Sequence, residues 1–128
     1  MHKKILIAGA IFAALSVILG AFAAHAFADV LNAAQHKTFE IAVKYQMYHA
    51  LAMVLSAVLF IQKPSTSLLI SAVLFGIGII LFSGSLYSLI FLNLFNIEGF
   101  KFIGAITPIG GVSFIIGWLM IIKAVVKW

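Results

Sequence analysis

Four long apolar runs constrain this sequence more than any other feature; they cover residues 5–28, 45–62, 68–94 and 102–126. Each run is close to or above the ~20 residues that a helix needs to cross a hydrocarbon core about 30 Å thick. Hydrophobic residues make up 65% of the chain and charged residues 9%, whereas soluble domains have about 45–50% and about 25%. The sequence therefore predicts an all-α membrane protein, with four transmembrane helices in a compact bundle that forms one domain over residues 1–128.

The end of the first run, GAFAAHAFADV at residues 20–30, contains Ala-His-Ala and Ala-Phe-Ala, which have the small-x-small form of a signal-peptidase site. The apolar stretch from Ile5 to Ala28 has Ser16 and His25 as its polar side chains. It is longer than the roughly 7–15-residue core of a signal peptide. We therefore expect a retained transmembrane helix.

The segment between the first two runs, residues 29–44, mixes charged and histidine side chains with apolar ones. Asn32 followed by Gln35 resembles a capping box, and Glu40 precedes Lys44 in the favourable i,i+4 order. This pattern predicts a short interfacial helix that leads into the second span. A re-entrant or gating segment is the alternative.

Two prolines mark boundaries in the second half of the chain. Pro64 follows Lys63 and ends the second span, because proline lacks an amide donor and restricts the residue before it. Pro108 lies inside the fourth run, where Thr107-Pro108 predicts a kink or a late helix start.

The lysines predict the orientation of the bundle. With four spans, one side carries five of them and the other side three: Lys3, Lys4, Lys63, Lys123 and Lys127 against Lys37, Lys44 and Lys101. Positively charged residues are retained on the cytoplasmic side. We therefore expect a multi-pass protein of the cell membrane with both termini in the cytoplasm.

Polar side chains from all four spans gather in the half of the bundle away from the termini, which this orientation makes the outer leaflet. They are His25, Tyr45, Gln46, Tyr48, His49, Ser83, Ser85, Tyr87 and Thr107, and Pro108 is grouped with them because it follows Thr107 at the same depth. Polar groups in hydrocarbon are costly unless they pair or face a wet cavity. The sequence therefore predicts a cluster that binds or conducts something small. Because histidine titrates near neutral pH, proton-linked binding or permeation is the first hypothesis.

Other interpretations of this cluster stay open. Tyr45 and Tyr48 fit interfacial anchoring, and His25 fits a packing or hydrogen-bonding role equally well. The opposite half offers little beyond serines and glycines, which favours a pocket, or a pore between subunits, over a path through one chain. The alternative function is structural: a scaffold or accessory subunit that packs with itself or with a larger membrane complex, its polar cluster joining the helices.

Small residues recur at helical spacing on three spans: Gly20, Ala24, Gly76, Gly84, Gly110, Gly111 and Gly117. Such residues let helix backbones approach closely in a membrane. We expect them to form the packing faces of the bundle. A spare face can join two copies of the chain.

The sequence says less about chemistry. No acidic residue lies inside a span and the chain has no cysteine, so we name no catalytic residue and expect no cofactor. Two span histidines without thiolate or carboxylate neighbours are a weak metal signal, although His36 and Glu40 can add ligands. A chain this apolar lacks the basic face that nucleic acid requires. Membrane lipid is a possible ligand, through Lys37, Lys44 and Lys101.

Five short motifs follow one another along the chain. They are GAFAAHA at 20–26, YQMYHAL at 45–51, LFSGSLY at 81–87, TPIGG at 107–111 and the Gly-Trp pair at 117–118. Together they resemble the DUF423 or UPF0382 small membrane proteins, a group similar to the eukaryotic transmembrane protein 256. The usual GAFGAH is GAFAAH here, and the methyl group of Ala23 works against close backbone approach. The resemblance implies a four-span integral membrane protein and no established activity.

Overall fold

The computed structural model describes residues 2–128 and is almost entirely helical. Its helices are α1 (His2–Ala24), α2 (Ala33–Gln62), α3 (Thr66–Gly78), α4 (Gly84–Leu94) and α5 (Ile106–Val126). A π-helical turn, Ile79–Ser83, joins α3 to α4, and a 3-10 turn, Lys101–Ala105, leads into α5. The chain thus has four helical rods long and apolar enough to cross a membrane. The predicted all-α, four-span membrane bundle is confirmed.

The first helix ends earlier than the apolar run suggests. α1 stops at Ala24, and residues 25–30 form turns. These turns bring the ring of Phe27 edge-on to the rings of Phe39 and Phe91, with centroids 6.2 and 5.9 Å away. The chain leaves the helix before residue 28, and the Phe27 side chain packs between α2 and α4.

The second helix begins at the capping box that the sequence predicts. The Asn32 side chain accepts from the Gln35 amide at 2.8 Å, and the Gln35 side chain accepts from the Asn32 amide at 2.9 Å. No proline or glycine interrupts the helix before its end. Residues 33–44 therefore form the first turns of α2, which corrects the expectation of a separate interfacial helix. The predicted pair of Glu40 and Lys44 forms an exposed salt bridge of 2.9 Å on these turns.

The end of α4 has the hydrogen bonds of a Schellman motif. The amide of Ile97 donates to the carbonyl of Leu92 at 2.9 Å, and the amide of Asn96 donates to the carbonyl of Asn93 at 3.2 Å. Asn96 has a φ of 54°, a left-handed conformation that asparagine tolerates better than most residues. The rod therefore stops sharply after Leu94, and the chain turns back toward α5.

Of the two predictions for Thr107-Pro108, a kink or a late helix start, the structure shows the late start. α-Helical structure begins at Ile106, so Pro108 lies in the first turn of the helix. Its missing amide costs little there, because the first amides of a helix have no partner within the helix.

The π-helical turn lies where α5 comes nearest to the α3–α4 rod. The amide of Gly84 donates to the carbonyl of Ile79, five residues back. A Cβ atom built on Gly110 would lie 2.8 Å from the Cα of Phe82, inside this turn. The turn contains one more residue than an α-helical turn. Only a glycine fits at the crossing, because the opposing atoms belong to backbone.

The other predicted packing residues differ in how closely neighbours approach them. Gly117 is tight, since a Cβ atom there would lie 2.7 Å from the Phe75 ring. Gly20 and Gly76 are at ordinary contact distance, 3.5 Å from the side chains of Val43 and Met53.

The remaining three, Ala24, Gly84 and Gly111, do not lie at close crossings. Ala24 is exposed, and Cβ atoms on Gly84 and Gly111 would have no neighbour nearer than 4.0 and 3.9 Å. The prediction also missed Gly9, where a Cβ atom would lie 3.0 Å from the carbonyl oxygen of Ala50.

The interior is divided into two apolar clusters along the bundle. One contains Phe75, Phe114 and Ile121 and extends toward the end that holds both termini, here called the terminal end. The other contains Leu31, Phe39 and Ile90 and lies at the opposite end, here called the connection end, where α1 turns into α2 and α4 into α5. The polar side chains of interest lie between these two clusters.

Candidate functional site

A polar layer crosses the bundle between the two apolar clusters. We use this name for six side chains: Ser16, Gln46, Ser83, Ser85, Tyr87 and Thr107. All four membrane-spanning rods contribute to it, but α1 does so through Ser16 and not through the expected His25. Because hydrocarbon offers no hydrogen-bonding partner, the arrangement within this layer determines what it can do.

Gln46 is the centre of the polar layer. Its side chain is 3% exposed. The amide nitrogen Nε2 donates to the carbonyl of Phe12 at 2.8 Å, and the amide oxygen Oε1 accepts from the Tyr87 hydroxyl at 2.7 Å. One side chain of α2 thus links α1 to α4.

Two serines attach their rods to backbone carbonyls of α2. Ser83, fully buried at the end of the π-helical turn, donates to the carbonyl of Ala42 at 2.7 Å. Ser16 of α1 donates to the carbonyl of the next residue, Val43, over a longer 3.4 Å. A carbonyl oxygen has two lone pairs, so each can accept such a bond and keep its helical one.

Ser85 and Thr107 form a separate link between α4 and α5. Their hydroxyl oxygens are 2.6 Å apart, and Ser85 also lies 2.8 Å from the carbonyl of Phe82 on its own rod. A hydroxyl has a single proton, so Ser85 donates to the carbonyl while Thr107 donates to Ser85. Neither hydroxyl contacts the Gln46 group.

His49 lies one turn closer to the terminal end, in an aromatic environment. Its ring stacks on Phe114, with centroids 3.5 Å apart and planes 8° apart. Nδ1 is 2.7 Å from the carbonyl of Tyr45, and Nε2 is 3.2 Å from the indole nitrogen of Trp118. A carbonyl only accepts and an indole N–H only donates. These partners assign the neutral tautomer with its proton on Nδ1.

That assignment limits the chemistry of His49. A second proton would have to sit on Nε2, where it would face the N–H of Trp118 and break their hydrogen bond. Both ring nitrogens are therefore committed within the chain. Sequence reasoning missed Trp118 as a partner, although a single indole donor deep in an apolar span needs an acceptor.

The structure does not bring the two span histidines together. His25 lies in the turn after α1, is exposed, and lines a shallow apolar cleft with Ile18, Ala21 and Phe22. His49 is buried on a different rod. The predicted shared site of two histidines therefore does not form.

The remaining predicted site residues lie at the periphery. Tyr45 and Tyr48 are 40% and 52% exposed and pack edge-on to one another, with centroids 5.9 Å apart. Tyr45 also covers the ring of Phe82 at 4.9 Å. Pro108 is exposed in the first turn of α5. These side chains face the surroundings of the bundle, as interfacial anchors do.

The structure also bears on metal ligands. Within residues 2–128, no three histidine, cysteine, aspartate or glutamate side chains come close enough to hold one metal ion. His36, which sequence reasoning considered as an extra ligand, has Nε2 3.0 Å from the carbonyl of Ala28. It holds the α1–α2 turn.

Comparison with known proteins identifies the family of this chain. The profile of a family described as "Protein of unknown function (DUF423)" matches residues 19–111. The chain belongs to the DUF423 family. The match covers most of the polar layer, all of α2 and the π-helical turn.

Relatives of this DUF423 chain are similar over nearly their full length. The UPF0382 membrane protein YwdK of Bacillus subtilis is 41% identical over 98% of both chains. The UPF0382 inner membrane protein YgdD of Escherichia coli is 38% identical over 90% of this chain and 87% of its own. A UPF0382 membrane protein of Haemophilus influenzae is 40% identical over 93% and 90%. No solved structure matches the chain.

Proposed function

We propose that this membrane protein has a structural role: it packs with itself or with a larger membrane complex, and its polar residues hold its helices in place. The observation that carries this proposal is that Gln46 and His49 each form hydrogen bonds to other groups within the chain. Both Gln46 side-chain heteroatoms and both His49 ring nitrogens have partners inside the chain. Side chains paired in this way join helices, and the two ring nitrogens of His49 are both occupied within the chain.

The pairing extends toward the terminal end. Ser56 and Ser71 lie 2.9 Å apart between α2 and α3, and Ser113 of α5 donates to the carbonyl of Leu74 at 2.7 Å. Hydrogen bonds of this kind in membranes contribute about 0.6–2 kcal/mol each. Their combined effect supports a bundle with one defined arrangement of helices.

The competing function is proton-linked binding or permeation through the polar layer. A cleft of about 280 Å³ between α1 and the α3–α4 rod does reach Gln46 and Tyr87 from the lipid side. Flux measurements separate the two functions, because a structural bundle leaves the membrane tight.

We expect the native chain, reconstituted in liposomes, to conduct protons and monovalent cations no faster than empty liposomes across pH 5 to 8. His49 has no free nitrogen with which to relay a proton, since one donates to a carbonyl and the other accepts from an indole. Fluorescent reporters of internal pH and cation content measure both fluxes. A flux that titrates near neutrality and disappears in His49→Leu would overturn the structural proposal.

The same variant tests the structural role directly. His49→Leu removes two hydrogen bonds and leaves the Trp118 N–H without its acceptor, so we expect it to lower the free energy of unfolding in detergent by about 1–2 kcal/mol. His25→Leu is the matched control, because His25 is exposed and lies in an apolar cleft. We expect it to change stability by less than about 0.5 kcal/mol. Equal effects would contradict the role given to His49.

We also propose that the chain lies in the cell membrane with both termini in the cytoplasm. The support is the lysine distribution: the terminal end carries five lysines and the connection end three. The chain has no cysteine, which allows a clean test. In intact cells, a membrane-impermeant thiol reagent should label Glu98→Cys at the connection end and leave Lys3→Cys unlabelled until the membrane is opened. The reverse labelling pattern would show that both termini lie outside the cytoplasm.

A further inference from the structure

A cavity lies at the connection end, beneath the chain that joins α4 to α5. It has a volume of about 740 Å³. Its walls are the last turn of α4 and the segment from Ile97 to Phe102. Asn96 and Gly99, with φ of 54° and 92°, make the bends that hold this segment away from the helix. We call this cavity the connection cleft.

Two opposite charges line the connection cleft without neutralising each other. Glu98 and Lys101 both lie in its wall and are exposed. Among residues 2–128, a salt bridge joins Lys44 to Glu40, and neither Glu98 nor Lys101 takes part in one. The cleft therefore offers one carboxylate and one ammonium to a ligand at the membrane surface. A ligand that carries both charges would complement both groups.

Two further apolar cavities follow one another along the side of α4 beyond the cleft, and we call them together the groove. A second cavity, of about 440 Å³, shares Leu92, Ile97 and Phe100 with the connection cleft and extends along the helix to Tyr87. The 280 Å³ cleft described above begins at Tyr87 and reaches Ile80. The side chains along this path are mainly aromatic and aliphatic.

The length of the groove matches one leaflet. Leu92 and Ile80 are twelve positions apart on a nearly continuous rod, which corresponds to roughly 18 Å at about 1.5 Å per residue. Half of a hydrocarbon core of about 30 Å is about 15 Å. One acyl chain that starts at the surface can therefore follow the groove to the middle of the bilayer.

We infer that the connection cleft and its groove bind one phospholipid whose headgroup carries a phosphate and a primary ammonium. The phosphate contacts Lys101, the ammonium contacts Glu98, and an acyl chain lies against Leu92, Phe91 and Tyr87. A headgroup with only the phosphate leaves Glu98 unmatched. The headgroup residues Glu98 and Lys101 lie outside the hydrogen bonds on which the structural role rests, whereas the groove also contacts Gln46 and Tyr87.

The test titrates lipids into the delipidated full-length chain in detergent and follows thermal unfolding by tryptophan fluorescence. Phosphatidylethanolamine carries both charges, phosphatidylglycerol lacks the ammonium, and glycerophosphoethanolamine lacks the acyl chains. We expect phosphatidylethanolamine to bind about fivefold more tightly than phosphatidylglycerol, as one partly exposed ion pair allows. We expect glycerophosphoethanolamine to bind at least about 100-fold more weakly, because it lacks the acyl chains whose burial drives binding.

Charge-removing variants locate the headgroup. Glu98→Gln should weaken phosphatidylethanolamine binding about fivefold and leave phosphatidylglycerol unchanged, whereas Lys101→Gln should weaken both lipids about fivefold. Glu40→Gln and Lys63→Gln are the matched controls, since Glu40 lies outside the residues that line the cleft and Lys63 lies at the terminal end. Equal affinity for the two lipids, or an unchanged affinity in Glu98→Gln, would overturn the headgroup assignment.

A bulky side chain tests the groove. Ser88 lies in its wall and is exposed, so Ser88→Trp should fill the groove and weaken phosphatidylethanolamine binding more than about tenfold. Val112→Trp adds the same side chain to an exposed position of α5 and should leave binding unchanged. Thermal unfolding of each variant without lipid verifies its fold. If glycerophosphoethanolamine binds as tightly as the whole lipid, the groove has no part in binding and the inference is overturned.

Discussion

Replacing Gly110 with alanine is expected to lower the free energy of unfolding in detergent by about 3 kcal/mol, the upper part of the usual range for overpacking. The new methyl group would lie 2.8 Å from both the Cα and the Cβ atoms of Phe82. Backbone atoms cannot rotate away as the end of a side chain can, so α5 has to separate from the π-helical turn. Titration with a denaturing detergent, followed by circular dichroism and tryptophan fluorescence, measures the effect.

The neighbouring glycine provides the control. A methyl group on Gly111 would have its nearest atom 3.9 Å away, on the ring of Phe82. Gly111→Ala adds the same atoms one position along the same helix, where alanine favours the helix by about 0.5–1 kcal/mol over glycine. We therefore expect it to be neutral or slightly stabilising. If Gly110→Ala is equally harmless, α5 does not cross the rod as closely as described.

Gln46→Leu is expected to lower the free energy of unfolding by about 2 kcal/mol. Leucine has nearly the same size but neither donates to the carbonyl of Phe12 nor accepts from Tyr87, whose hydroxyl then stays unpaired in an apolar environment. Gln62→Leu, at the exposed end of the same helix, should change stability by less than about 0.5 kcal/mol. The same detergent titration compares the two variants.

A double-mutant cycle tests whether Gln46 acts through Tyr87. Gln46→Leu leaves the Tyr87 hydroxyl without a hydrogen-bond acceptor, and Tyr87→Phe removes that hydroxyl. The double variant should therefore be more stable, by about 1 kcal/mol, than the sum of the two single effects predicts. Purely additive effects would mean that the two side chains do not interact. If the double-mutant cycle gives the expected interaction energy but the native chain conducts protons, the hydrogen bond between Gln46 and Tyr87 is supported and the structural function is contradicted.

The membrane-spanning helices are predictable because the bilayer imposes a simple rule on length and polarity. Any run of about 20 apolar residues must form a helix to satisfy its own backbone. The start of α2 was also predictable, since Asn32 and Gln35 interact within four residues of chain. The same holds for Pro108, whose effect on α5 is local. These features need no knowledge of neighbouring helices.

The separate interfacial helix shows where local signals are insufficient. The capping box correctly marks a helix start, but the sequence between Asn32 and Tyr45 contains no residue that ends a helix. A change from surface to hydrocarbon alters the surroundings of a helix without breaking its hydrogen bonds. The charged turns and the apolar turns therefore belong to one rod.

The polar residues also have one property that the sequence predicts, their depth, and one that it does not, the direction in which each side chain faces. Each position along a span fixes depth, because a helix rises about 1.5 Å per residue, and so the sequence predicts a polar layer at one level. Which way each side chain faces depends on how a rod is rotated and which rod lies beside it. Separate hydrogen-bonded groups, around Gln46, between Ser85 and Thr107, and around His49, replace the single predicted cluster.

The sequence by itself determined the membrane environment, the number of spans and several helix ends, because these follow from hydropathy and from interactions within a few residues. The tertiary structure decided the pairing of His49 with Trp118, the separation of His25 from both, and the contact of Gly110 with the π-helical turn. These contacts join residues far apart in the chain. They depend on the mutual rotation and crossing of packed helices, which no single helix encodes.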